Sequence, residues 1–238
     1  MKKLLLLSFS LLSVNLFAQN ELPKTSENFD LAFAVGMHNS SPNFAGALSF
    51  NRTHGLLKSK KLRLGYGLRF LSFGSSGDIN YTTAPYRLTK DPEKIDTLLL
   101  SKPLTMSLNA SLHIEYHIIN RLKVGFNIDA IGISFGPKKI NNIFISTDNI
   151  NALYISMPSA KPTTLSALLI GDRDWGQLGS EFFAAFAIIP NKLWVRAGMN
   201  FTFSEYTTNV MLTNENDRFR YKSLMGFLAV TYSPFFKN

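Results

Sequence analysis

From position 104 to 117 the chain alternates without a break. Leu104, Met106, Leu108, Ala110, Leu112, Ile114 and Tyr116 interleave with Thr105, Ser107, Asn109, Ser111, His113, Glu115 and His117. A period of two places the two sets on opposite faces of one extended strand. Strands of soluble sheets average about 5–6 residues, and a tilted strand needs roughly 9–11 to cross a bilayer. This run is long enough for the second role.

Three further segments repeat the pattern. Leu122, Val124, Phe126, Ile128 and Ala130 alternate with Lys123, Gly125, Asn127 and Asp129. Leu62 to Phe70 alternate with Arg63, Gly65, Gly67 and Arg69, and Val195 to Phe203 with Arg196, Gly198, Asn200 and Thr202. Weaker versions cover 29–39, 44–53, 181–189 and 220–233, which makes eight strands. The links at 54–60, 119–121 and 190–192 are short, whereas those at 75–103, 137–179 and 207–219 are long; the first outer link, near 40–43, is brief. Alternation of short and long links is the signature of turns at one end of a barrel and loops at the other. The fold expected is all-β: a transmembrane, antiparallel, up-and-down barrel of eight strands with long extracellular loops. A secreted sandwich or lipocalin-like fold is the competing arrangement.

Aromatic positions fit two boundary belts. Phe29, Tyr116, Trp194 and Tyr232 fall at one set of strand ends, and Phe44, Phe73, Phe203, Tyr206 and Tyr221 at the other. No run of about 18 apolar residues follows position 18, so a transmembrane helix is not expected. With no cysteine, a disulfide framework is excluded. Residues 1–18 read as a signal peptide: Lys2 and Lys3, an apolar stretch, then Phe17, Ala18 and Gln19. Residues 19–238 then form a single barrel domain. Removing Lys2 and Lys3 from 25 basic residues leaves 23 against 16 acidic ones, a net of +7.

A Lys-Lys-Leu leader ending in Phe17-Ala18-Gln19, followed by eight amphipathic strands with the last one close to the C-terminus, resembles the small outer-membrane barrels of Bacteroidota. Among these it is similar to OmpA-like, porin-superfamily barrels without a periplasmic domain. The resemblance implies a fold and a compartment, the bacterial outer membrane. Relatives of this style include adhesion proteins, lipid-modifying enzymes and accessory parts of secretion or assembly machines.

The polar strand faces carry Arg63, Arg69, Glu115, Asp129 and Arg196. An eight-stranded barrel is just wide enough to be filled by side chains, and charges buried there must pair. These five are therefore expected to form a lumen charge network rather than an ion path. His113, Glu115 and His117 have strand spacing that can seat two metal ligands. A complete set is missing, so they read as polar lining and no metal or cofactor is expected. A weak catalytic alternative is His38 with Ser40 or Ser41, as in lipid A deacylases and acyltransferases, but no acid orients the histidine. Phosphate-cradling glycine motifs, dinucleotide fingerprints and repeats are absent, and nucleic-acid binding has no support.

Loop 137–179 is the most apolar of the links. Two short β-prone pieces, 143–146 and 153–157, precede a helix-like 163–170, and they suggest a hairpin standing outside the membrane. Phe144, Tyr154, Leu168 and Trp175 must bury against the barrel or against a protein partner. Loop 75–103 adds Tyr81, Tyr86, Ile95, Leu98, Leu99 and Leu100 among Arg87, Lys90, Lys94 and Lys102, cations suited to lipopolysaccharide phosphates. The leading expectation is a non-enzymatic outer-membrane barrel acting through its outer loops, as an accessory subunit of a membrane complex or a surface structural protein. Its partners would be outer-membrane lipid and lipopolysaccharide, with an outer-membrane protein on loop 137–179. A lipid A-modifying hydrolase or acyltransferase is the first alternative, and a narrow pore or small-ligand binder the second.

Overall fold

The computed structural model describes residues 22–38, 41–147 and 158–237. The leader and Tyr154 lie outside these. Eight long strands form a ring: β1 (Thr25–His38), β2 (Ser41–Gly55) and β3 (Leu62–Ser75), then, after two short strands, β4 (Asp78–Thr83) and β5 (Thr97–Ser101), β6 (Leu104–Ile119) and β7 (Leu122–Phe135). Three further short strands follow, β8 (Ile143–Ile145), β9 (Ala160–Pro162) and β10 (Leu165–Ala167). The last three ring members are β11 (Gln177–Ile189), β12 (Leu193–Leu212) and β13 (Asn216–Lys237). Each ring strand pairs antiparallel with the next in the order β1, β2, β3, β6, β7, β11, β12, β13, and β13 returns to β1. Closure leaves no lower edge to bond with anything else.

The alternation sorts as expected for a barrel in lipid. Leu31, Phe33, Val35, Leu48, Leu68, Leu112, Ile114, Phe182, Met199 and Leu228 face outward and are exposed, while Asn28, Asp30, Asn51, Arg69, Asn109, Asp129, Glu181 and Arg196 face inward and are buried. An apolar exterior around a polar interior is the reverse of a water-soluble barrel; this is a transmembrane barrel. Phe29, Tyr116 and Tyr232 are exposed at one boundary. Four other aromatics are not belt residues. Trp194 points into the lumen, Phe73 and Tyr206 are fully buried inside the outer mouth, and Phe203, although on the outer face, is covered. Alternation itself places Trp194 and Tyr206 in phase with Arg196, and Phe73 in phase with Arg69, on the inner face; what it does not reveal is the segment that covers the mouth.

That covering comes first from loop 75–103. After β3, the β4–β5 hairpin crosses to the far side of the mouth, where Thr82 and Thr83 pair with Arg220 and Phe219 of β13. The β13–β1 ladder has ended by then, at Val35↔Gly226, so the upper edge of β13 is free to accept β4. β8 then adds to β5. This small sheet turns one face downward: Ile79, Tyr81, Leu98, Leu100 and Phe144 pack in a single core with Leu71, Phe73, Tyr206, Phe219 and Met225 of the barrel. Tyr81 Oη lies 3.2 Å from Ser204 Oγ, and its ring meets Tyr206 edge-on at 5.3 Å. The barrel is therefore capped by its own chain, chiefly by loop 75–103.

Of the hairpin expected within loop 137–179, the 153–157 piece lies outside the described residues, and Ile143–Ile145 pairs with β5. Segment 163–170 contains a strand, not a helix. β10 pairs with the upper part of β7, Leu165↔Ile133 to Ala167↔Ile131, and β9 pairs with β12. The cause is an open edge: β7 pairs with β11 only from Ser180↔Ile128 to Phe186↔Leu122, which leaves its upper backbone groups to be satisfied by another segment. Pairing then overrides local helix propensity. Leu165 and Ala167 continue the outward apolar face beside Ile133 and Ile131, while Ser166 faces inward and is buried. Part of the loop's apolar content, Leu165 and Ala167, is thus barrel wall. The fourth outer link is also shorter than the expected 207–219, because β12 and β13 run on to Leu212 and Asn216.

Candidate functional site

Inside the ring, four cations and four anions are buried among the described residues. Near the inner end Lys123 Nζ donates to Glu115 at 2.8 Å and lies 4.7 Å from the centre of the Trp194 ring. His117 meets the same ring edge-on at 5.5 Å. Arg63 makes no carboxylate pair among the described residues. It donates to Pro23 O at 2.6 Å, Ser26 Oγ at 3.0 Å and the Thr53 oxygens, so the segment before β1 is drawn under the barrel. At mid-height Arg196 binds Asp30 at 3.1 Å and also Glu181, with Phe183 stacked 4.1 Å away. Arg69 donates to Asn127 and lies 3.4 Å from Asp129 and 4.0 Å from Glu181. The Arg69–Asp129 contact is a charge contact rather than a directed hydrogen bond. Asp129 takes its hydrogen bonds from Asn109 at 2.9 Å and the Gly179 amide at 2.8 Å.

Of the five residues singled out in sequence, Arg69, Asp129 and Arg196 thus join one cluster, Glu115 sits in a separate pair, and Arg63 serves the floor. Asp30, Glu181 and Lys123 complete the set and were not singled out. The same alternation could have found them, since Asp30 stands between Phe29 and Leu31, Lys123 between Leu122 and Val124, and Glu181 one step before the outward Phe182. With its carboxylate taken by Lys123, and with His113 bonded to Ser111 at 3.0 Å, the 113–117 face is engaged as lining.

The proposed partner-binding residues separate. Phe144 is 4 % exposed in the cap core, meets Phe219 edge-on at 6.0 Å and is not available to a partner. Alternation had no means of showing that β8 would add to β5. Leu168 and Trp175 are 40 % and 38 % exposed on the outer rim. The catalytic alternative falls largely outside the described residues: Ser40 and the side chain of His38 are among those not described. Ser41, half-buried, opens β2 opposite His38.

A second constellation lies on the outer rim. A cavity of about 500 Å³ is lined by Ala84, Pro85, Tyr86, Arg87, Lys90, Leu169, Arg173, Trp175 and Arg218, with no carboxylate among the described residues that line it. Tyr86 and Arg87 open the short helix α1 (Tyr86–Thr89). Lys90 and Arg173 stand 4.5 and 5.0 Å from the Tyr86 ring centre, and Arg218 stands 4.5 Å from that of Trp175. Arg218 is held by Glu205 at 2.8 and 3.1 Å. Just below, Asp172 clamps Arg220 at 2.6 Å and Lys222 at 2.5 Å. Burial would raise the Asp172 pKa, but the bonds from Lys222 and Arg220 outweigh it and hold the carboxyl below its ordinary 3.8.

Ring, cap and filled lumen together define a closed, membrane-spanning β-barrel. No protein-family model matches the chain, and no curated protein matches it. Among solved structures it is similar to the crystal structure of Neisserial surface protein A, with 10% identity, 88% of this chain and 96% of that chain covered, and a TM-score of 0.39. It is also similar to the Pseudomonas putida toluene transporter TodX (9% identity, 87% and 89% covered, TM-score 0.26). A third is the CymD monoaromatic hydrocarbon channel (8% identity, 91% and 89% covered, TM-score 0.22).

Proposed function

We propose that this chain is a non-conducting, non-enzymatic barrel of the bacterial outer membrane that acts through its outer rim, as an accessory subunit of a membrane complex or as a surface protein. The observation that carries this reading is closure at three levels. Leu22 and Pro23 are buried at the floor, the Arg69–Asp129–Glu181–Arg196–Asp30 cluster fills the middle, and the β4–β5–β8 sheet seals the mouth. A charge moving through would have to break buried pairs or displace an apolar core, each costing several kcal/mol. What remains accessible is the rim, where Leu168, Leu169 and Ile170 are exposed, the last at 95 %.

Two measurements test the proposal. In planar bilayers the purified protein is expected to be silent at neutral pH, and reproducible single-channel steps would remove the closed-barrel reading. Extraction from native membranes in mild detergent is expected to recover a stoichiometric protein partner. Serine at 168, 169 and 170 should release that partner, and recovery of a lone barrel would remove the subunit role.

A second reading, a binder of small apolar molecules, rests on a slot of about 190 Å³ in the outer wall. It lies beside the upper part of β11 and is lined by Ile128, Leu168, Leu178, Phe201 and Phe203, with Lys222 and Asp174 at its edge. Saturable binding of a monoaromatic hydrocarbon, abolished by Leu178→Trp, would support it. Partition indistinguishable from that into protein-free micelles would end it.

A further inference from the structure

The geometry points to the rim cavity as a binding site for the phosphorylated saccharide headgroup of an outer-leaflet glycolipid. This rests on the proposed function only in placing the cap outside the membrane. Four features carry it. The first is charge: Arg87, Lys90, Arg173 and Arg218 line the cavity, among the described residues no acidic side chain lines it, and of these four cations only Arg218 pairs with a described carboxylate, Glu205. The second is shape and surface. A volume of about 500 Å³ lies within the range of small-molecule sites, about 300–1,000 Å³, and the remaining lining is Ala84, Pro85, Leu169 and two aromatic rings. Rings beside guanidinium and ammonium groups match a sugar phosphate, whose C–H face packs on an aromatic surface while its oxygens take charged donors.

Third is height. Arg218, Arg220 and Lys222 are alternate residues of β13, so they stand in one outward column over roughly 13 Å. The same column continues downward as Leu224, Leu228, Val230 and Tyr232, all exposed on the lipid-facing wall. The cations therefore begin one step above the apolar belt, at the level where headgroup phosphates lie. A ligand free in solution would have no need of that alignment.

The fourth is preorganisation. Asp172 pins the 168–174 segment to the column through Arg220 and Lys222, and Arg218 Nη2 reaches Asp174 O at 3.5 Å. Arg173, between these anchors, is thereby carried over Tyr86. From the other side, Arg87 donates to Glu215 O at 3.2 Å and fixes α1 against the β12–β13 turn. Two loops distant in sequence are each tied to β13 or its turn, and the site lies between them.

The test uses the full chain purified in detergent, with native mass spectrometry or calorimetry to read binding. Probes are bisphosphorylated lipid A, the same lipid dephosphorylated, and glucosamine 6-phosphate. The bisphosphorylated lipid is expected to bind at least about tenfold tighter than either of the others. The double variant Lys90→Gln, Arg173→Gln should weaken it by about tenfold or more, with unchanged heat-dependent gel mobility as proof of folding. Lysine at 173 in place of glutamine should restore part of the loss. Equal binding of the dephosphorylated lipid, or an unaffected double variant, would overturn the site. Equal binding of glucosamine 6-phosphate would overturn the lipid-borne source. None of these readouts depends on whether the barrel conducts.

Discussion

Replacing Arg196 by methionine tests whether charge pairing, rather than mere volume, holds the lumen together. The guanidinium is buried between Asp30 and Glu181, and its removal strands two buried carboxylates at once. Breaking a buried pair by deleting one partner costs about 3–5 kcal/mol. The survivors are not bare: Asp30 keeps Asn51 at 2.6 Å and Thr231 at 2.5 Å, while Glu181 keeps Asn127 at 2.9 Å and the Arg69 charge at 4.0 Å. The lower half of that range, about 3–4 kcal/mol, is therefore expected. Adding Glu181→Gln removes one stranded charge and should return roughly half the loss. Arg63→Met deletes a guanidinium of the same size whose hydrogen bonds among the described residues all go to neutral oxygens, and it should cost less, about 1–3 kcal/mol. Urea unfolding in lipid vesicles, followed by tryptophan emission, measures all three on one scale. A cost below about 1 kcal/mol for Arg196→Met, or no recovery with Glu181→Gln, would show that the carboxylates do not depend on the guanidinium and would refute the argument.

Gly125 lies where an added Cβ would come 2.5 Å from the Phe183 ring and 3.1 Å from Ile114 O, so Gly125→Ala should cost about 1–3 kcal/mol in the same unfolding assay. Phe144→Ala should cost about 3–5 kcal/mol, but within the cap. Faster hydrogen exchange in β4 and β5, with no change in the barrel's urea midpoint, is the expected pattern. Asp172 has a pKa depressed below 3.8, so its contribution to holding the 168–174 segment is complete above that value and is lost as pH falls through the folded pKa. Exchange of that segment should be flat from pH 7 to about 4, after correction for intrinsic rates, and rise below it. In Asp172→Asn the acid-induced rise should vanish.

Strand count and ring order were legible from a period of two, and so was the inward–outward sorting except in 220–233, where the sequence leaves the two faces hard to tell apart. The same period places Arg69, Asp129 and Arg196 on the inner face, and it would have placed Asp30, Lys123 and Glu181 there too. It could not assign partners. Arg63 goes to Pro23 O, and Glu115 goes to Lys123, because pairing depends on stagger between strands, which no single strand encodes. The cap was illegible for a related reason. Tyr81, Leu98 and Phe144 read as apolar residues in loops, and their burial follows only from β4 finding the upper edge of β13, more than 130 residues away in the chain. The rim cavity joins Tyr86, Arg173 and Arg218 from three such separated segments.

The ladder between β7 and β11 is the shortest in the ring, and above Ile128 closure passes to the three residue pairs between β10 and β7. A cylinder with one short seam does not yield evenly. Pulled apart or heated, it should part first along β7, and the part to separate is a segment whose two flanks are loop. During assembly the same seam sets an order: seven of the ring's ladders can zip along their length, whereas this one is completed only when residues 165–167 arrive as a patch. The three residue pairs of β10 on β7 complete the wall on that side, and a single cut in the 168–174 segment would leave the ring covalently divided at its weakest line.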